Sequence, residues 1–221
     1  MVKTMHDIVI KCIPGGSFLT NSYIIGDGET LDAILIDPGS QVKEILDEID
    51  NSGLIVKRII NTHAHIDHAA GVEEAKQALE AEFYLHPEEE PVLNALPESA
   101  LRFPEFSGVK VPKIDKYIEE GDEIDIGNYK AKAIHTPGHT FGSICLLIDG
   151  HVISGDTLFA GSVGRVDLTG GTSMRELVRS IKTKLMVLPD SYTVYPGHGP
   201  YTTIGMERKS NPFISGGVIL L

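Results

Sequence analysis

Four side chains that can bind a transition metal lie within residues 63–68, in the order His-x-His-x-Asp-His. They are His63, His65, Asp67 and His68. Imidazole nitrogen and carboxylate oxygen are ligands that suit zinc, iron and manganese. The alternative is a polar loop whose histidines merely form hydrogen bonds, but polar groups rarely cluster so densely without a purpose. The spacing therefore favours a metal-binding motif.

The motif lies between a predicted strand and a predicted helix. Residues 54–60 form an apolar, β-branched run typical of a buried strand, and a helical pattern begins at residue 69. Open α/β sheets bind their ligands at such strand ends. In extended backbone, His63 and His65 would project to the same side. Asp67 and His68 follow in the turn and could face a second ion.

Three further candidate ligands also follow predicted strands. His139 and His198 each stand in a Pro-Gly-His turn, and Asp156 stands in a Gly-Asp pair at the end of a hairpin strand. The chain thus offers enough ligands for two ions, which can share a hydroxide at neutral pH without a protein nucleophile. The expected assignment is one ion on His63, His65 and His139, a second on Asp67, His68 and His198, and Asp156 as the bridge.

The elements around these turns predict an α/β protein built from two similar halves. Strands are predicted at residues 6–13, 21–26, 31–37, 54–60, 83–85, 123–126, 129–136, 143–148, 151–154 and 192–195. Helices are predicted at residues 41–50, from 69 to about 81, and from a Ser173–Glu176 capping box to 188. Residues 86–116 read as an irregular surface excursion, with His86 as a solvated loop histidine. The expected architecture is a four-layer αββα sandwich with two sheets face to face and helices outside.

Composition restricts the partners. The 221 residues carry 19 basic and 31 acidic side chains, a net charge of −12, which argues against nucleic-acid binding. The sequence has neither a signal-peptide pattern nor an apolar run of membrane-spanning length, so we expect a cytoplasmic protein with no membrane partner. Cys12 and Cys145 lie in apolar strand-like runs and are predicted to be buried free thiols.

The four ligand-bearing segments together resemble the metallo-β-lactamase superfamily over nearly the whole chain. The closest resemblance is to short glyoxalase II-like (hydroxyacylglutathione hydrolase-like) metallohydrolases. The resemblance implies the αββα fold, the ligand assignment above, and a supporting role for Asp37 behind the metal loop. It also implies a single domain over residues 1–221, without the additional C-terminal helical region that closes over glutathione in full-length glyoxalase II.

The resemblance also bears on the substrate. His68 directly after Asp67 resembles the glyoxalase and lactonase branches, and Asp156 stands where zinc β-lactamases of the main class carry cysteine. Both departures count against antibiotic hydrolysis. In glyoxalase II a basic residue at the position of Arg165 helps to hold glutathione. Here Arg165 could clamp a substrate carboxylate, or it could pair with Asp167 or another acid. Because Asp167 replaces an expected tyrosine, glutathione specificity is in doubt.

The expected function is therefore a dinuclear metal-dependent hydrolase of thioesters, with a metal-bridging hydroxide as nucleophile and Asp67 and Asp156 as catalytic residues. Zn²⁺ is the favoured ion, with iron or manganese as alternatives. The expected partner is a small-molecule thioester or ester, and the protein is expected to be a monomer or a homodimer. The alternatives are a mononuclear iron persulfide dioxygenase, a hydrolase of lactones or phosphodiesters, and a non-catalytic metal-binding module.

Overall fold

The computed structural model describes residues 8–216, whose strands form two six-stranded sheets and one two-stranded ribbon. The first sheet has the spatial order β1 (Ile8–Gly15), β2 (Thr20–Asp27), β3 (Asp32–Ile36), β4 (Ile55–Ile60), β5 (Glu82–Leu85) and β6 (Lys116–Tyr117). The later strands are β7 (Glu123–Ile126), β8 (Tyr129–His135), β9 (Ile144–Ile148), β10 (His151–Gly155), β11 (Leu158–Phe159), β12 (Ser162–Val163), β13 (Thr193–Pro196) and β14 (Thr202–Thr203). The ribbon is β11-β12, and the second sheet has the order β14-β13-β10-β9-β8-β7.

The helices lie between these strands in the chain. They are α1 (Val42–Ser52), α2 (Ile66–Ala69), α3 (Val72–Leu79), α4 (Glu90–Asn94), α5 (Leu96–Ala100), α6 (Met174–Ser180) and α7 (Ile204–Ser210). A π-helical turn at Ile181–Leu185 continues α6, and 3-10 turns occupy Pro87–Glu89 and Pro104–Phe106. Among residues 8–216, no helix is both long and apolar enough to cross a membrane.

The apolar core has three layers, which confirms the predicted αββα sandwich. One cluster, including Ile25 and Ile144, lies between the two sheets. A second packs α1 and α3 on the outer face of the first sheet through residues such as Ile45. A third packs α6 and the π-helical turn on the outer face of the second sheet, around Leu177 and Leu185. Each half of the chain therefore contributes one sheet and its covering helices.

The strand directions decide where the loops emerge. β3, β4, β5 and β6 pair in parallel, so the residues that follow β3 and β4 meet at the same end of the first sheet. β10 and β13 are also parallel neighbours, so their following loops meet as well. The β9–β10 hairpin turns at Asp149 and Gly150, which both have positive φ, as the Asp-Gly sequence predicts.

Several local predictions were wrong. The helix predicted from residue 69 to about 81 is shorter, because α3 spans only Val72–Leu79, and a separate short helix, α2, precedes it. A turn at Ala70 and Gly71 separates the two helices, and a Cβ on Gly71 would lie 2.0 Å from the Gly39 carbonyl oxygen. His86 is buried rather than solvated, and its ring stacks on that of His135 at 4.2 Å. Cys145 is a buried free thiol as predicted, but Cys12 is exposed because it lies on the edge strand β1.

Other differences concern elements that the sequence analysis missed. They include α2, α5, the β11-β12 ribbon, β14 and α7. The strand predicted to begin at residue 6 is described only from Ile8, because residues 1–7 lie outside the described part of the chain.

Candidate metal centre

All seven predicted ligands meet at one end of the two sheets. Four loops, each following a strand, carry them. His63, His65, Asp67 and His68 follow β4, His139 follows β8, Asp156 follows β10, and His198 follows β13. The structure therefore brings together every residue that the sequence analysis assigned to the two ions.

The first loop is held in shape by the residue that precedes it. The Asn61 side-chain amide donates to the carbonyl oxygens of His63, at 3.2 Å, and His68, at 2.9 Å. His65 has extended backbone and caps α2, so Asp67 and His68 fall in the first helical turn. This change from extended to helical backbone sends the two pairs of side chains to different positions, as the spacing predicts.

The first triad consists of His63, His65 and His139. The Nε2 atom of His139 lies 3.2 Å from Nε2 of His63 and 2.9 Å from Nδ1 of His65. Three nitrogens at such distances surround a point that suits a tetrahedrally coordinated ion, since zinc binds imidazole nitrogen at about 2.0–2.1 Å.

The second triad consists of Asp67, His68 and His198. Nε2 of His68 lies 3.3 Å from Nε2 of His198. The Oδ2 atom of Asp67 lies 3.2 Å from the His198 nitrogen and 3.4 Å from the His68 nitrogen. Two nitrogens and one carboxylate oxygen therefore converge on a second point.

Asp156 lies between the two triads. Its Oδ2 atom is 3.6 Å from Nε2 of His139 in the first triad and 3.5 Å from Nε2 of His198 in the second. Its Oδ1 atom is buried, forms no hydrogen bond among the described residues and lies 3.4 Å from Nε2 of His68. A buried carboxylate oxygen without a hydrogen bond is costly, and a metal ion would satisfy it. The position of this oxygen indicates that the residues present fit a dinuclear centre.

In three of the five histidines, the ring nitrogen that faces away from the triad contacts a backbone carbonyl. His139 Nδ1 lies 2.6 Å from the Arg165 carbonyl oxygen, and His65 Nε2 lies 2.8 Å from the Thr169 carbonyl oxygen. His198 Nδ1 lies 3.0 Å from the Phe18 carbonyl oxygen. In the neutral imidazole, an N–H donated to the carbonyl fixes the tautomer that has its lone pair on the nitrogen facing the triad.

Asp37 supports the centre from behind, as the family resemblance implies. Its Oδ1 atom accepts the Thr62 backbone N–H at 2.7 Å, and its Oδ2 atom accepts the Thr62 hydroxyl at 2.6 Å. Oδ2 also lies 3.0 Å from Nδ1 of His68. The carboxylate thus holds both the metal loop and one imidazole. Thr20, which the sequence analysis missed, donates its hydroxyl to Asp67 Oδ2 at 2.8 Å.

The first triad is made of weakly basic histidines. Burial, together with the neighbouring imidazoles, lowers the pKa of His63 well below its ordinary value. Burial and His139 lower the pKa of His65 to about 4. Burial also lowers the pKa of His139. At neutral pH these three side chains are neutral and ready to coordinate an ion.

The second triad is strongly basic. Burial opposes the protonation of His198, but the carboxylates of Asp156 and Asp67 outweigh it and raise the pKa of His198 to about 9. In His68, burial is likewise outweighed by Asp67 and Asp156, so its pKa is raised well above the ordinary value. An ion that binds this triad must displace protons from it.

We therefore expect the two triads to differ in the pH dependence of metal affinity. Binding to the second triad should strengthen about tenfold per pH unit for each displaced proton, up to the His198 pKa of about 9. Binding to the first triad should be nearly constant at neutral pH and above, because the pKa of each of its three histidines is lowered. Calorimetry in buffers of different protonation enthalpy measures the protons released. Equal proton release by His139→Ala and His198→Ala variants, which each keep one complete triad, would contradict this expectation.

A cavity of about 510 Å³ opens beside the centre. It is lined by Phe18, His65, Ile66, Asp67, Ser99, Arg102, Phe103, His139, Asp156, Phe159, Arg165, Asp167, Leu168, Thr169 and His198. Phe18 and Phe103 pack edge to face with ring centroids 5.1 Å apart and form an aromatic wall. The volume and the mixed lining suit a small-molecule substrate.

Arg165 lies in this cavity but already has a partner. Its Nε and Nη2 atoms each donate to one carboxylate oxygen of Asp167 at 2.9 Å. The structure thus shows the Asp167 pairing that the sequence analysis gave as one of two alternatives. Both side chains are exposed, so the pair is accessible to a substrate carboxylate.

A second histidine cluster is less suited to a metal. His86 and His135 lie near Glu88, but their rings stack at 4.2 Å with only 17° between the ring planes. The lone pairs of nearly parallel rings do not converge on one point. His135 Nε2 is also engaged by the Phe141 carbonyl oxygen at 2.8 Å. We assign this pair a packing role.

A family model, a relative and solved structures all relate this chain to metallo-β-lactamase-fold proteins. Residues 15–198 match the model of the metallo-beta-lactamase superfamily. The chain is 34% identical to hydroxyacylglutathione hydrolase GloC of Haemophilus influenzae, over 93% of this chain and 98% of that protein. It superimposes on the B3 metallo-beta-lactamase BLEG-1 with a TM-score of 0.86 and 33% identity, over 94% of this chain and all of that one.

A further solved structure bears on the metal. TTHA1623 in a di-iron-bound form matches with a TM-score of 0.80 and 36% identity, over 92% of this chain and 99% of that one. The family model, the relative and both structures agree with the fold described above. The chain belongs to the metallo-β-lactamase superfamily, whose members are metal-dependent hydrolases.

Proposed function

We propose that this protein is a dinuclear metal-dependent hydrolase of small-molecule thioesters, similar to glyoxalase II. The observation that carries the proposal is the position of Asp156 between the two triads, with one buried oxygen that forms no hydrogen bond among the described residues. The name of the Haemophilus influenzae relative, hydroxyacylglutathione hydrolase, supports a thioester substrate. Zinc is our proposed ion, and the di-iron form of TTHA1623 supports iron as the alternative.

Two bound divalent ions would supply hydroxide at neutral pH and polarise the acyl carbonyl. The residues of the chain keep this centre in one arrangement. The Thr20 hydroxyl orients the Asp67 carboxylate, and the Asp37 carboxylate orients His68. Asp156 holds the two triads at a fixed separation. The aromatic wall of Phe18 and Phe103 limits water access on one side of the cavity and offers an apolar surface to the substrate.

The experiment that tests the proposal is a substrate panel with the zinc-reconstituted protein. We expect hydrolysis of S-lactoylglutathione, and loss of that activity on chelation and in the His198→Ala variant. The likeness to BLEG-1 makes β-lactam hydrolysis the second candidate, so the panel includes a chromogenic cephalosporin and a simple lactone. Turnover of the cephalosporin with no thioester cleavage would replace our proposal by that candidate.

Substrate binding is expected to depend on the Arg165–Asp167 pair. Asp167→Asn should lower the KM for S-lactoylglutathione about twofold to fivefold, because it frees an exposed guanidinium from a weak, solvent-screened ion pair. Arg165→Ala should raise that KM to a similar degree. Both variants should leave the KM of a neutral thioester, such as an N-acetylcysteamine ester, unchanged. Parallel shifts for the charged and neutral substrates would show that the pair has no role in recognition.

A further inference from the structure

We propose that Glu89 is a positioning residue for the first triad. Its buried carboxylate joins the two loops that carry His63, His65 and His139, and thereby sets the affinity of this triad for its ion. The inference rests on the metal centre of the proposed function, but it does not depend on which substrate is cleaved.

The geometry of the contact is specific. Glu89 is the last residue of the 3-10 turn after β5 and is fully buried. Its Oε2 atom accepts the Ala64 backbone N–H at 2.8 Å, and its Oε1 atom accepts the Gly142 backbone N–H at 2.9 Å. The Thr140 side chain also hydrogen-bonds to it. One carboxylate therefore contacts both loops at once.

Each of these donors stands beside a ligand. Ala64 lies between His63 and His65, so the direction of its N–H fixes the peptide that joins the two imidazoles. Thr140 directly follows His139, and Gly142 closes the same turn. The three residues of the first triad come from just these two loops. The second triad lies on α2 and the loop after β13, and these have no hydrogen bond to Glu89 among those described.

A neutral amide cannot replace the carboxylate here. Two backbone N–H groups approach the two oxygens of Glu89 separately, and the nitrogen of a glutamine side chain cannot accept either of them. Burying a carboxylate is also unfavourable unless it is fully hydrogen-bonded. Burial raises the pKa of Glu89, while the contacts with Thr140, Ala64 and Gly142 oppose that effect. The unfavourable burial of the Glu89 carboxylate is consistent with a role in positioning the two loops.

Gly142 shows how tightly the contact is packed. A Cβ at this position would lie 2.9 Å from the Glu89 backbone nitrogen and 2.8 Å from Nδ1 of His86. Gly142→Ala therefore disturbs the same junction from the opposite loop. The contact also gives the excursion at residues 86–116 a role, because the excursion begins by tying the first half of the chain to the second.

The test measures metal affinity, not only activity. Zinc affinity is determined by competition with a chelator for Glu89→Gln in two backgrounds. The His198→Ala background keeps the first triad complete, and the His139→Ala background keeps the second. We expect a loss of about 10- to 100-fold in the first background, the range for partners that orient metal ligands, and no change in the second. Glu89→Asp should show a smaller loss, because it keeps the carboxylate.

The matched control is Glu207→Gln. Glu207 is also a buried carboxylate, and it accepts the Gly161 N–H at 2.9 Å and the Thr202 hydroxyl at 2.7 Å, away from both ligand loops. The Glu207→Gln variant should be less stable than the wild type but should keep its zinc affinity.

If Glu89→Gln does not fold, Gly142→Ala and the hydrogen-exchange rate of the Ala64 amide in the metal-free protein test the same junction.

The outcomes separate this inference from the proposed function. If the wild type binds two ions but does not cleave thioesters, and Glu89→Gln loses zinc affinity only in the His198→Ala background, the role of Glu89 is supported and the thioesterase proposal is rejected. If the wild type cleaves thioesters, and both Glu89→Gln and Gly142→Ala keep wild-type zinc affinity, the role of Glu89 is overturned and the thioesterase proposal stands. An equal loss in the two backgrounds would also overturn it, because it would show a general destabilisation.

Discussion

Replacing His68 by alanine is expected to abolish thioester hydrolysis and to release one of the two ions. His68 is fully buried, and its Nε2 atom lies 3.4 Å from carboxylate oxygens of both Asp67 and Asp156. Its Nδ1 atom lies 3.0 Å from Asp37. Since the loss of a group that only orients a ligand costs about 10- to 100-fold, the loss of a ligand should exceed about 100-fold in metal affinity and in kcat/KM.

Elemental analysis and initial rates with S-lactoylglutathione measure this effect. The control is His151→Ala, because His151 lies on β10 and belongs to neither triad. The control should keep both ions and its activity. A His68→Ala protein with wild-type activity would rule out the dinuclear mechanism and favour a centre built on the first triad alone.

The second large effect is expected for Asp37→Asn. Asp37 has a positive φ of 50°, a conformation that asparagine tolerates, so the backbone should be preserved. The amide nitrogen cannot accept a hydrogen bond. In place of Oδ1 it would leave the Thr62 backbone N–H without an acceptor, and in place of Oδ2 it would remove the acceptor of the Thr62 hydroxyl and of His68 Nδ1. Either orientation removes a contact that holds the metal loop or His68. We expect zinc affinity and kcat/KM to fall by about 10- to 100-fold.

Asp27→Asn is the matched control for Asp37→Asn. Asp27 is a fully buried carboxylate that accepts the Asn128 N–H at 2.7 Å and the Glu29 N–H at 2.8 Å. It lies at the far end of β2 from Thr20, the end that contacts the metal centre. We expect a lower melting temperature and unchanged zinc content. A similar loss of zinc in both variants would mean that Asp37 acts through stability alone.

The convergence of the seven candidate ligands could be predicted from the sequence, because each one stands in a turn that follows a strand. The β-branched strand before His63 ends in a turn, and the two Pro-Gly-His segments end strands in the same way. Parallel neighbours then bring these turns to one end of the sheets. Strand periodicity and the coordination preferences of metals were therefore enough to select the seven residues from the sequence.

The supporting residues could not be predicted in the same way. Thr20 and Glu89 act through hydrogen bonds to partners 47 and 25 or more positions away, so no short spacing marks them. Glu89 also lies in the irregular excursion at residues 86–116, where the sequence shows no strong periodicity. Asn61 was the exception, since its place directly before the motif could have indicated that it organises the loop.

Secondary structure was missed where tertiary contacts decide it. α7 is seven residues long, and it is fixed by the Thr203 cap and by Glu207, which reaches across to Gly161. The break between α2 and α3 contains Gly71, which approaches the Gly39 carbonyl oxygen too closely to carry a Cβ. Neither the long-range bond nor the close approach can be read from helix periodicity.

Whether the protein is a dinuclear thioesterase is tested by its metal content after purification, determined together with its hydrolysis of S-lactoylglutathione. We expect about two zinc ions per chain, or a zinc and iron mixture, with thioester cleavage that chelation abolishes. One iron per chain, no thioester cleavage, and oxygen consumption with glutathione persulfide would contradict this expectation and indicate a mononuclear dioxygenase instead.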